Sequence, residues 1–102
     1  MTDNHHPTTG LAWYSREQWP LLREAAADPE ILEETYDAWL RIAQQTAVDL
    51  AMEGLRTERV DIDVEALVKW CRESSRPLDG SARAEFTRRK LRAKYEQEGR
   101  EP

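Results

Sequence analysis

Residues 29–53, PEILEETYDAWLRIAQQTAVDLAME, carry the reading that decides the fold class. Ile31, Leu32, Tyr36, Trp39, Leu40, Ala43, Ala47, Leu50 and Ala51 recur at steps of three and four. That spacing collects side chains on one face of an α-helix. The stretch opens on Asp28-Pro29, a capping residue followed by proline at a first helical position. Glu30, Glu33 and Glu34 follow, where the helix dipole favours negative charge. Gly54 fits the helix C-terminus, and Leu55 is placed to cover it. Unbroken, such a helix would be about 37 Å long at ~1.5 Å per residue. That exceeds the width of so small a globule, so a break near Thr35 is expected.

The pattern weakens on either side. Upstream, Ser15 and Gln18 have the spacing of a capping box, Pro20 is tolerated in a first helical turn, and Leu21, Leu22 and Ala25 form a short apolar stripe. Residues 1–10, with Pro7 and Gly10, show no period and read as a loose tail. Downstream, Val60, Ile62 and Val64 alternate with Arg59, Asp61 and Asp63, the period of a strand. No second such segment is evident, so this one is expected to pair with a copy of itself or with nothing. From Val64 the period turns helical through Leu67, Val68 and Cys71, with Asp63 or Asp61 as cap, Glu65–Lys69 as a supporting pair, and 74–77 (SSRP) as the stop. A last helix should begin around 79–81. Ala82, Phe86 and Ala93 lie near one of its sides and Ala84, Leu91 and Tyr95 near the other, so it is expected to dock by its first turns and then project. The fold expected is mainly α, a small bundle of three to four helices with one short extended segment near 59–63. A single domain would cover 11–95, between tails at 1–10 and 96–102.

Composition limits the setting. The chain has 102 residues, 39% apolar and 34% charged, with a net charge of −5, and no apolar run reaches the roughly 20 residues of a membrane span. The first ten residues lack the apolar core of a signal peptide. Cys71 is the one cysteine, which rules out an internal disulfide and fits a reducing cytoplasm. Charge is also segregated: residues 24–49 hold seven acids and one base, and residues 81–95 hold six bases and one acid. Separate faces for contact are implied.

Catalytic parts are scarce. Cys71 lies on the Val64–Leu67–Val68 face, as a core cysteine does, and both histidines, His5 and His6, fall in the tail without a third metal ligand. The glycines are isolated, so no phosphate-cradling loop can form. Asp61, Asp63 and Glu65 lack the twelve-position spacing of a calcium loop and are explained by strand exposure and helix capping. The expectation is no enzyme and no cofactor. Trp13, Trp19, Trp39 and Trp70 are many for this length, and aromatics serve both cores and interfaces. With the basic stretch they point to a helical protein-interaction module of bacterial type, a regulator, adaptor or antitoxin-like subunit. The expected partner-binding residues are Arg88, Arg89, Lys90, Arg92 and Trp70, facing an acidic surface on another protein or on a second copy. The alternative is a DNA-binding regulator, since residues 59–91 have the strand–helix–helix order of a ribbon-helix-helix repressor. Asp61 and Asp63 count against it, because they would face phosphates.

Overall fold

A computed structural model describes residues 8–99. Their elements run β1 (Thr9–Trp13), α1 (Trp19–Ala25), a single 3-10 turn (Pro29–Ile31), α2 (Tyr36–Met52), β2 (Thr57–Asp61), α3 (Val64–Glu73) and α4 (Gly80–Glu98). The chain is mostly helical.

Local chemistry sets most of these boundaries. Thr35 breaks the long periodic stretch: its backbone is extended and its hydroxyl accepts from the Ala38 N–H at 3.1 Å, so α2 starts one residue later. Asp63 caps α3 through the N–H groups of Glu65 and Ala66, and Asp79 caps α4 through that of Ala82. At the end of α2, Gly54 takes φ +84° and the Leu55 N–H returns to the Leu50 carbonyl at 3.0 Å, the αL closure that glycine allows at little cost. Asp28-Pro29 starts only the 3-10 turn, because the Asp28 carboxylate is drawn away to Gly80 and Arg83 of α4.

The first strand is where sequence and structure part. Thr9 and Gly10, assigned by pattern to the tail, belong to β1, and residues 1–7, with His5 and His6, lie outside the described residues. β1 pairs with β2 in parallel, Thr9 opposite Thr57 through Trp13 opposite Asp61. The 59–63 segment therefore has a partner within its own chain, where pattern alone leaves it to pair with a copy of itself or with nothing. TGLAW lacks a two-residue apolar period because both of its faces meet other parts of the chain, as strands of parallel sheets commonly do.

One face of the two-stranded sheet carries Gly10, Ala12, Glu58 and Val60, and α4 lies across it. A Cβ on Gly10 would stand 3.2 Å from both Leu91 Cδ2 and Val60 Cγ2, and 3.3 Å from Thr87 Cγ2, so glycine sets how closely α4 approaches. Thr87 is buried there with its hydroxyl donating to the Arg83 carbonyl at 2.8 Å. Glu58 accepts from Lys94 and, at 2.6 Å, from the Tyr95 hydroxyl. α4 thus docks along most of its length, burying Ala82, Phe86, Leu91 and Tyr95. It does not leave the globule after its first turns, because the sheet takes one side of it and α3 another, where Trp70 meets Phe86 at 5.5 Å. Helix continues to Glu98, into the stretch assigned to the second tail; residues 100–102 lie outside the described residues.

The rest of the core includes Tyr14, then Trp19 and Leu22 of α1, Ile62, then Val64, Leu67 and Cys71 of α3, and Leu78. The Gln18 side chain joins α1 to α3 by accepting the Val64 N–H at 2.6 Å. Cys71 is buried as expected, and burial pushes its thiol pKa up. α2 differs from every other long helix: its apolar stripe runs over many turns, yet it buries no residue completely. Trp39 reaches the edge of the core but stays partly exposed, and Trp19 occupies the buried place. The helices therefore do not close into a bundle with α2 as its main stave. α4 packs against the sheet on one side and against α3 on another.

Candidate partner-binding groove

α2 is fastened chiefly at its first turns. Trp39 lies against Trp19 at 5.3 Å with the rings 30° apart, and against Trp13, Tyr14 and Tyr36 at 5.3–5.4 Å. Two hydrogen bonds pin this cluster: the Tyr36 hydroxyl donates to the Tyr14 carbonyl at 3.0 Å and the Trp19 indole N–H to the Glu33 carbonyl at 3.1 Å. Arg16 stacks over Tyr36 at 4.8 Å while pairing with Asp37, and Arg59 stacks over Trp13 at 4.0 Å. The Trp13–Trp39 contact places α2 toward the sheet face of Leu11, Trp13 and Arg59, opposite the face covered by α4.

Between the two helices runs an open groove of about 680 Å³. Residues of both sheet faces, Gly10 and Ala12 as well as Leu11 and Trp13, line it. It therefore follows the edge of β1 that β2 does not occupy. One wall is Trp39, Ile42, Ala43 and Thr46 of α2; the other is Ala84, Thr87, Arg88, Leu91 and Arg92 of α4. Arg83 also reaches the groove but is held in a two-pronged pair with Asp28, at 2.8 and 3.0 Å. That pair and the Gly80 N–H hold the Asp28 carboxyl below its usual pKa, against the opposing effect of burial. No carboxylate lines the groove among the described residues.

The residues expected to bind a partner fall into two groups. Arg88 and Arg92, one helical turn apart, face the groove. Arg89 instead lies over the Trp70 ring at 5.6 Å, where Arg76 also stacks at 5.1 Å, and Lys90 lies over Phe86 at 5.4 Å. Trp70 is thereby part of the α3–α4 packing, partly buried and in contact with two guanidinium groups. Glu85 pairs with both Arg88 and Arg89 on the exposed helix surface. Arg92 makes no pair with Glu96 one turn on, and it has no hydrogen-bond or ion-pair partner among the described residues.

Pattern reading missed that Ile42 lines the groove and that further apolar side chains toward the end of α2 lie exposed outside it. Ile42 is 50% exposed, Val48 52%, Met52 82% and Leu55 47%. Ile42, Val48 and Met52 stand beside the three- and four-residue stripe, and these excess apolar residues were the available sign that α2 presents more than one face. Asp63 serves as a helix cap, and no group of three His, Cys, Asp or Glu is placed to hold a metal among the described residues. No helix among them is long and apolar enough to cross a membrane. No protein-family model, curated protein or solved structure matches the chain.

Proposed function

We propose that this chain is a small protein-interaction module, an adaptor or regulatory subunit of bacterial type, which receives a protein partner in the groove between α2 and α4. The observation carrying this reading is an open, acid-free groove of about 680 Å³ walled on one side by the half-buried Trp39 and the exposed Ile42 of α2. Exposed apolar side chains in a concave site are the kind of surface a partner covers. The groove supplies aromatic and aliphatic surface, threonine hydroxyls and guanidinium groups. Those groups suit binding, and they do not make a nucleophile with an adjacent base. A photo-crosslinking residue at Ile42 or Ala84 should trap a discrete protein adduct in the native cell, whereas the same residue at Glu73, exposed at the end of α3, should not. Equal trapping at all three positions, or at Glu73 alone, would defeat the groove as the docking site.

A further inference from the structure

The groove runs along a sheet edge, and that edge has a defined bonding pattern. In the parallel ladder the Thr9 N–H donates to the Arg56 carbonyl and the Trp13 carbonyl accepts from the Ile62 N–H, each at 2.9 Å. Residues 9, 11 and 13 therefore turn their backbone groups toward β2, and Gly10 and Ala12 between them turn theirs outward. The Tyr36 hydroxyl on the Tyr14 carbonyl closes the far end of this edge. What is left is a short template, the N–H and C=O of Gly10 and of Ala12, at the floor of a groove whose two walls differ in chemistry.

Resting on the groove reading above, we propose that the occupant is an extended segment that adds to β1 as a third strand, with alternate side chains apolar and acidic. Successive side chains of a strand point to opposite faces. On one face of the enlarged sheet they would meet Trp39, Ile42 and Ala43 of α2. On the other they would meet α4, where Arg88 and Arg92, the latter without an ion-pair partner among the described residues, stand with no acid among the lining residues. Backbone hydrogen bonds supply affinity in such strand addition, and the alternating pockets supply specificity. A second copy of this chain fits less well. Antiparallel β1–β1 pairing has its two-fold axis normal to the sheet, which brings both α4 helices to one face and opposes Arg88 and Arg92 to their own duplicates.

The test uses the full chain and an eight-residue peptide of alternating valine and glutamate, blocked at both ends, titrated calorimetrically. It should bind at least about tenfold more tightly than the valine–lysine peptide. Arg88→Glu combined with Arg92→Glu, both at exposed positions, should invert that preference. N-methylation of one alternate set of peptide nitrogens should abolish binding, and methylation of the other set should change it by no more than about twofold, since only one set faces β1. Equal affinity for the two peptides, or indifference to both methylation sets, overturns the third strand. A dimer in sedimentation equilibrium that the glutamate peptide does not dissociate overturns it as well. Crosslinking at Ile42 and Ala84 reports on the groove independently, so adducts there with no methylation effect here would reject the strand mode and leave the groove standing.

Discussion

Gly10 shows how much a single side chain can decide in this protein. Its missing Cβ is what admits Leu91, Thr87 and Val60 to the same point of the sheet. Gly10→Val should therefore force α4 outward and cost about 1–3 kcal/mol, the range of overpacked cores; chemical denaturation would measure it. Tyr14 gives a second residue-level test. Burial pushes its phenol pKa up to about 12, with Arg83 opposing the shift. Between pH 10 and 12 the unfolded chain releases this proton and the folded one keeps it, so stability should fall by roughly 1.4 kcal/mol per pH unit over that window. Tyr14→Phe should flatten that part of the pH–stability curve relative to the parent protein. An unchanged slope would mean the phenol ionises freely in the folded state.

Among the elements, those defined by local signals were legible and those defined by distant neighbours were not. Thr35, Asp63, Asp79 and Gly54 mark helix ends with groups that act within four residues, and each was readable in the sequence. β1 was not, because TGLAW is a strand only through its pairing with residues 57–61 and the helix laid over Gly10. The exposure of α2 was not legible for a related reason: periodicity gives the direction of an apolar face but not whether anything in the same chain covers it. Arg88 and Arg92 were readable as candidates, while the separation of Arg89 and Lys90 from them depended on where Trp70 and Phe86 lie. Two measurements address these elements. A chain beginning at Leu11 loses the Thr9 and Gly10 ladder positions and should be destabilised by more than about 1 kcal/mol; an unaltered melting curve would contradict the register. Amide hydrogens of residues 43–52 in α2 should exchange much faster than those of residues 86–95 in α4, since local opening follows the density of buried contacts. Equal protection of the two helices would show that α2 is held along its whole length.

At the scale of the whole molecule, one ion pair ties the first half of the chain to the second. Asp28 accepts from Arg83 and from the Gly80 N–H at the start of α4. Its folded pKa is depressed, so the contribution is present above the ordinary carboxyl range and is lost as pH falls through the folded value. Asp28→Asn should lower stability at neutral pH and blunt the acid limb of unfolding followed by circular dichroism; a parallel downward shift of the entire curve would place its effect elsewhere. The aromatic cluster that fastens α2 has an optical consequence. Trp13, Trp19 and Trp39 are close enough for their transitions to couple, with Trp39 at 5.3 Å from each of the other two, and Trp13 and Trp39 border the groove. The near-ultraviolet spectrum of the unlabelled protein is therefore a gauge of the gap between α2 and the sheet. Any occupant that shifts α2 against the sheet alters the angle between coupled chromophores, and so announces itself in the rotational strength of bands the protein already carries.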